Sequence, residues 1–531
     1  MYTIVLAAMN ALRLRSISLL FPGARARLLP QTSRVGRMQH RAAATEAAAA
    51  AVLEGDKKLK TFEDLPGPSV FTNLYWYFIK GYLFHTHELS IRYKKLYGPL
   101  FKTVISRYKM VNIADPKLIE NLLRQEGKYP MRTEVDLWKE HRDIRNLPYG
   151  PFTEQGHKWY NLRNVLNKKM LKPTEARAYT GSINEVVTDL MERIQEIRSE
   201  SSSGNTVPDI GNLFYNFTFE GLSYILFEAR SGCLNKHIPP ETQKFVASIA
   251  FMLRNSVYVT FMPLWTRRVF PYWERYLSGW DTIFAFTKKL IDKKMNEIQE
   301  RLERGEEVQG EYLTYLLFSG KLTMSEICGS VAELLMAGVD TTSNTLTFCL
   351  YHLAQDPELQ QSLHEEVVRV APAECIPTAD DISQMPLLKA TIKETLRLYP
   401  VAAVNGRMIC EKEVVIGDYC FPKKTLFVLN HYAISRDEDY FQNADKFLPQ
   451  RWLRDGGMNR HPFSSIPFGY GIRACVGRRI AELEMHLALA RIIRKFEIRY
   501  NPQGGEVKPI FRIVMVPSSP VNLELLERPT G

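Results

Sequence analysis

A chain of 531 residues with 45% hydrophobic and 24% charged side chains has ordinary globular composition and length enough for a large core, which sets aside disordered and collagen-like polymers. Seven scattered cysteines, an odd number, argue against a disulfide framework and fit a reducing compartment. The net charge of +11 suits an acidic partner or an anionic membrane surface, and the lack of any nucleic-acid motif or long basic block argues against nucleic acid.

From Met1 to Thr45 there is no acidic residue, while Arg13, Arg15, Arg25, Arg27, Arg34, Arg37 and Arg41 recur among Ser, Leu and Ala. That composition predicts a mitochondrial transit peptide over residues 1–45. A secretory signal competes, because Tyr2 to Leu12 is mostly apolar, and a membrane anchor is the third reading. Asn10 and Arg13 interrupt the run well short of the roughly 20 apolar residues that a spanning helix needs. Residues 46–61 read as a low-complexity spacer. No linker follows, so residues 62–531 are expected to form one domain, entered through the rigid turn Leu65-Pro66-Gly67-Pro68.

A helix is predicted over Leu83 to Tyr97, then two β-rich runs, Phe101 to Ile105 and Lys109 to Ala114, as a hairpin, with Asp115-Pro116 opening the next helix. Trp159 and Arg163, four apart, share a helix face, where the arginine either pairs with a carboxylate or is solvated beside a core tryptophan. Further on, Pro263 and Pro271 deny a regular helix to a stretch crowded with Phe261, Trp265, Phe270 and Trp273 around Arg267 and Arg268. Aromatic and basic side chains together suit a bilayer interface; a core-packed loop is the alternative.

The longest clear helix starts at Thr323-Met324-Ser325-Glu326, which has capping-box spacing, and runs to about Leu353 before Asp356-Pro357. Inside it lies Ala337-Gly338-Val339-Asp340-Thr341-Thr342, where the glycine alone costs up to about 1 kcal/mol against alanine. Such a cost points to close packing or a ligand. Glu394 and Arg397, three apart on a helix, can form an ion pair, a pattern that is usually solvated and worth little. Glu413 to Asn430 holds strand-like runs broken at Gly417 and Pro422.

The chemistry centres on Phe468-Gly469-Tyr470-Gly471-Ile472-Arg473-Ala474-Cys475-Val476-Gly477, followed by an apolar, helix-favouring run. Gly469 and Gly471 permit backbone conformations that a side chain forbids, and Gly477 lets something flat lie close to the chain. Free N–H groups and the positive end of the helix dipole favour an anionic sulfur at Cys475, which is expected to lower its pKa. A lone cysteine more often behaves as a small hydrophobe. Spaced Phe, Gly, Arg, Cys and Gly within one loop set this one apart.

This stretch resembles the haem-thiolate loop of the cytochrome P-450 monooxygenases. The resemblance implies a mainly α fold with a small β subdomain, binding haem b with Cys475 as the proximal iron ligand, whose thiolate donates electron density to favour O–O cleavage. It implies contacts to the haem propionates from Trp159, Arg163, Arg407 and Arg473, with His461 a candidate by position alone. The segment Ala337 to Thr342 is similar to the family's distal groove, with Thr341 hydrogen-bonding the bound oxygen and Asp340 relaying protons through water. Phe447-Leu448-Pro449-Gln450-Arg451-Trp452 matches a family segment that makes Glu394, Arg397 and Arg451 a buried triad bracing the cysteine loop. The aromatic stretch from Phe261 to Trp273 resembles the family's loop over the substrate entrance, which implies peripheral membrane contact.

Gly477-Arg478-Arg479-Ile480-Ala481-Glu482-Leu483-Glu484-Met485 looks like the family's mitochondrial branch. There, basic residues at the places of Lys389, Lys393, Arg478 and Arg479 dock an acidic two-iron two-sulfur ferredoxin, itself served by an NADPH-dependent reductase. A solvated basic face is the plain alternative, and periodicity alone does not separate Lys393 from the triad's Arg397. Glu126 to Pro130, Leu137 to Arg142, Tyr149 to Phe152 and Glu333 to Leu353 are similar to the branch's sterol 27-hydroxylases. The implied reaction is hydroxylation of the side-chain terminal methyl of a cholesterol-type sterol with O2, at the matrix side of the inner membrane. Related vitamin D hydroxylases share the motifs and give the alternative. A haem-thiolate isomerase and a haem-binding sensor are further classes, neither of which needs Asp340, Thr341 or a docking face.

Overall fold

The computed structural model describes residues 59–529 apart from 106–107, 133–135, 309, 311, 373–374, 455–459 and 502–504, with the backbone alone at 136. The transit peptide over 1–45 and most of the 46–61 spacer lie outside the described residues. In chain order, the elements that position the site are helix α1 (Thr86–Tyr97), strands β1 (Leu100–Ile105) and β2 (Tyr108–Ile113), and helices α2 (Pro116–Arg124), α3 (Asp136–Arg145) and α4 (Gly156–Met170). Helices α5 (Ile210–Phe227), α6 (Pro240–Phe261), α7 (Tyr272–Glu303), α8 (Met324–Leu353) and α9 (Pro386–Leu398) follow. Strands β3 (Asn405–Met408) and β4 (Leu426–Leu429), helix α10 (Arg478–Lys495) and the C-terminal hairpin of β5 (Pro509–Arg512) and β6 (Val514–Pro517) complete the set.

Local chemistry sets many of these boundaries. Asp115 caps α2 by accepting from Leu118 N at 2.8 Å, and Pro116 takes a first-turn position whose N–H would have no helical partner. Thr323 and Glu326 form the capping box of α8, each side chain accepting from the other's backbone N–H. The predicted helix from Leu83 divides at His85, whose non-helical backbone separates a 3₁₀ turn (Tyr82–Phe84) from α1. The run from Glu413 folds as Val414–Ile416 and Tyr419–Phe421, reversing at Gly417 with φ +57°, and then β4.

The hairpin β1–β2 pairs Leu100 with Ile113, β2 runs parallel to β4, and β3 closes the sheet antiparallel to β4. One apolar cluster packs between this sheet and α2 around Val111, Ile119, Leu122 and Phe427. The larger core belongs to the helices. Helix α8 runs through it, buried along most of its length and packed by α5, α7, α9 and α10. Among the described residues, no helix is long and apolar enough to cross a membrane. The result is the mainly α fold with a small β subdomain that the family resemblance implies.

Candidate active site

A cavity opens between α8 above and the loop ahead of α10 below, lined by Ala337, Gly338 and Thr341 on one side and by Phe468, Cys475 and Gly477 on the other. The loop is shaped by Gly469 (φ +74°) and Gly471 (φ +69°), and is closed by Cys475 N donating to Phe468 O at 2.8 Å. A Cβ added at Gly477 would meet no atom within 4 Å, so this glycine leaves the loop's surface flat where it borders the cavity.

The Cys475 thiol departs from the sequence expectation. Burial pushes its pKa up, and this outweighs the hydrogen bond from the Gly477 backbone and the charges of Arg163, Arg132 and Arg478, which act downward. The dipole argument has the right sign, but desolvation is larger. A cation at the sulfur supplies what the backbone does not, since a coordinating thiol is deprotonated outright.

Around the cavity's rim the structure gathers Arg132, Arg163, Arg407 and Arg473. Arg407 on β3 is buried with Nε 2.7 Å from Glu126 Oε1. Arg473 donates Nε to Pro130 O at 2.7 Å and Nη2 to Gln155, while its Nη1 is buried without a partner. Arg132 donates to Arg473 O at 2.9 Å and keeps a partnerless Nε. Burial and mutual repulsion disfavour these charges, pulling Arg473 down to about 8 and Arg132 to about 10. A guanidinium does not give up its proton in a protein, so the cluster instead calls for anionic charge between its members.

The other expected cofactor contacts take different places. Arg163 donates Nε to Asn167 at 2.6 Å and Nη2 to Ala474 O, so it clasps the backbone next to Cys475 as well as lining the cavity. Trp159 does not line the cavity. It is buried behind Arg473, whose guanidinium lies 3.6 Å from the centroid of its ring, and its Nε1 has no partner. His461 is also away from the cavity, with Nε2 3.2 Å from Glu120 Oε2 and Nδ1 accepting from Phe463 N.

On the opposite wall Thr341 donates Oγ1 to Ala337 O at 2.8 Å. Gly338 lets α5 approach closely: a Cβ there would lie 2.5 Å from Leu222 Cδ2. Asp340 points away from the cavity wall, is buried, and has no partner on Oδ2. Burial pushes its pKa up to about 7, against the pull of Arg512 on β5 and of Asn344. Asn344 and Arg512 both line a separate cleft behind α8, between α5, α6 and the C-terminal hairpin. Neither residue stood out in the sequence, because the C-terminal hairpin meets α8 only in the fold.

Glu394, Arg397 and Arg451 come together between α9 and the segment from Ser435 to Trp452. Glu394 accepts from Arg397 at 2.6 and 2.9 Å, from Arg451 Nε at 3.0 Å, from Trp452 Nε1 at 2.7 Å and from Leu448 N at 3.0 Å. Burial alone would raise its pKa, but these bonds and the two positive charges hold it below the usual carboxylate range. Lys393 is exposed on the same helix, while Arg397, one turn on, is covered by the segment whose Ser435, Ala444 and Lys446 carbonyls it binds. Lys389 is half-buried and donates to Ser383 O; Arg478 and Arg479 are exposed at the start of α10, which packs against α9.

Trp265 is 66% exposed on the 3₁₀ turn Leu264–Arg268 between the two prolines, and Phe270, Leu264 and Val269 are exposed beside it. Phe261 and Trp273 are half-buried, the first against Tyr77 and the second under Arg267. The exposed apolar set extends to Phe71 and Ile79, which carry no helix-periodicity signal in the sequence.

The residues present fit haem b. A flat group has room against Gly477, an iron has Cys475, and two propionates have the guanidiniums of Arg132, Arg407 and Arg473, of which Arg132 and Arg473 keep unmet N–H groups. Comparison with known proteins gives the same answer. The chain is 50% identical to sterol 26-hydroxylase, mitochondrial, of Homo sapiens over 89% of this chain and 90% of that protein. It is 39% identical to the 25-hydroxyvitamin D-1 alpha hydroxylase, mitochondrial, of Homo sapiens over 88% of this chain and 93% of that one. Cytochrome P450 27C1 of Aquarana catesbeiana is 38% identical over 90% of this chain and 92% of its own length. The family model for cytochrome P450 matches residues 66–525, and the chain belongs to that family of haem-thiolate monooxygenases.

Proposed function

We propose that this chain is a mitochondrial monooxygenase that hydroxylates the side-chain terminal methyl of cholesterol-type sterols. The observation that carries the reading is 50% identity to mitochondrial sterol 26-hydroxylases across nearly the whole described domain, against 39% to the vitamin D enzyme.

Haem b supplies dioxygen activation when bound, and the chain's residues do the rest. Cys475 holds the iron as a thiolate, Arg132, Arg407 and Arg473 neutralise the propionates, and Arg163 steadies the loop backbone at Ala474. The Glu394, Arg397 and Arg451 brace keeps Cys475 in register with the start of α10. Thr341 presents its hydroxyl at the cavity wall, and Asp340, with a pKa of about 7, exchanges protons near neutral pH behind it. The apolar wall around Leu222, Leu334 and Val401 orients an unactivated C–H bond, a positioning effect.

Electrons come from an acidic two-iron two-sulfur ferredoxin, reduced by its NADPH-dependent reductase and docked on Lys389, Lys393, Arg478 and Arg479. Exposed Trp265, Phe270 and Phe71 support peripheral contact with the inner membrane from the matrix side. The acid-free, Arg-rich leader over 1–45 supports import.

Turnover with ferredoxin, its reductase and NADPH tests the reading, with cholesterol and a vitamin D sterol offered separately and products identified by mass spectrometry. A terminal hydroxysterol from cholesterol is expected. Activity confined to the vitamin D sterol would move the chain to the sister group. In Thr341→Ala, electrons should be lost to uncoupled oxygen reduction, and retained coupling would remove Thr341 from the proton path.

A further inference from the structure

Three side chains at the start of α1 lie outside the haem site and share one point in space. His85, His87 and Glu88 each bring one ligand-type atom to within 4.8 Å of the others. His85 Nδ1 is 3.5 Å and His87 Nε2 4.0 Å from Glu88 Oε1, spacings too long for hydrogen bonds. His85 Nδ1 and both ring nitrogens of His87 are buried without a hydrogen-bond partner.

The spacings are close to those of a metal's ligand shell. Donors about 2.0–2.1 Å from a tetrahedral zinc ion stand roughly 3.3–3.4 Å from each other, so small side-chain adjustments bring this set onto the ion. The His87 side chain is 0% exposed, whereas His85 at 35% and Glu88 at 43% keep the point open to solvent. The Pro509 carbonyl of β5 lies close enough to the His87 ring to favour an N–H directed at it, though outside hydrogen-bond geometry. A metal-bound imidazole characteristically turns its second N–H to a backbone carbonyl in this way. Burial disfavours a protonated His87, and Arg436 faces the same ring; the Glu88 carboxylate supplies the opposing charge.

We propose that His85, His87 and Glu88 bind a zinc ion, with water as the fourth ligand, fastening the start of α1 where it meets the C-terminal hairpin. Two imidazoles and a carboxylate suit zinc and are too rich in nitrogen for magnesium or calcium. This site is independent of the sterol reading and of haem chemistry.

The experiment uses haem-loaded protein equilibrated with zinc chloride, freed of excess metal by gel filtration, with zinc and iron counted by plasma emission. Crystals soaked in zinc chloride are measured at the zinc absorption edge. The expected result is one zinc per haem iron, an anomalous peak among the three residues, and at least tenfold weaker binding in both His85→Asn and Glu88→Gln. These two side chains are exposed enough to be replaced with the core intact, which His87 is not. Zinc retained equally by both variants, or not retained by folded wild-type protein, overturns the site.

Discussion

Two groups of buried arginines serve opposite ends. At the end of α9, Arg397 and Arg451 share Glu394 and send their remaining N–H groups to the carbonyls of Ser435, Ala444, Lys446, Gln442 and Asn443. At the cavity rim, Arg132, Arg407 and Arg473 share the carboxylate of Glu126 and leave N–H groups of Arg132 and Arg473 unmatched. A cluster whose hydrogen bonds are complete acts as a brace. One with surplus charge is built around an anion that the chain itself does not provide.

The largest effect should follow breaking the complete cluster. Glu394→Ala strands two buried guanidiniums and should cost about 3–5 kcal/mol, read as a lower urea midpoint and protein purified without haem. The carboxyl's folded pKa lies below its unfolded value of 4.5, so its stabilisation is complete above that pH and lost as pH falls through the folded value. Glu394→Gln should accordingly flatten the fall in stability below about pH 4.5.

Arg473→Leu sharpens the contrast. Haem affinity should drop by about 1.5–3 kcal/mol, roughly ten- to a hundredfold, while the haem-free protein unfolds at an unchanged or higher urea concentration because repulsion is relieved. Equal losses with and without haem would make Arg473 a second brace.

Asp340 is expected to move coupling, and because burial raises its folded pKa above the ordinary 3.8, Asp340→Asn should also remove the stability cost of ionising it at higher pH. Its carboxyl is protonated below about pH 7 and ionised above, so the fraction of electrons recovered as product should decline as pH rises through 7 in the wild type and stay flat in Asp340→Asn. The smallest change belongs to Lys393→Glu. Ferredoxin affinity should weaken about tenfold at low ionic strength and much less near 1 M salt, with haem content intact.

What the sequence makes legible is what short-range chemistry decides. The capping box at Thr323, the Asp115 cap and the reversal at Gly417 are each set by a few neighbouring residues, and each forms as the sequence predicts. The glycines of the cysteine loop belong to the same class. Long-range geometry is less visible. Arg132 follows a turn rather than a periodic helix face, and Arg512 reaches Asp340 only after the chain's last hairpin folds back on α8. Trp159 sits one layer behind the cavity because Arg473 fills the place between them. Lys393 and Arg397 share a helix face by period, and only the covering segment from Ser435 to Lys446 tells them apart.

The close approach at Gly338 has a consequence for how substrate preference could drift. A methyl group at 338 would strike Leu222 at the tip of a mobile side chain rather than at its backbone. Leu222 also faces the cavity, so the collision can be relieved by swinging that tip into the space meant for substrate. Position 338 is thereby a dial: Gly338→Ala would leave the scaffold standing while narrowing the chamber from a distance, and Leu222→Val would widen it again.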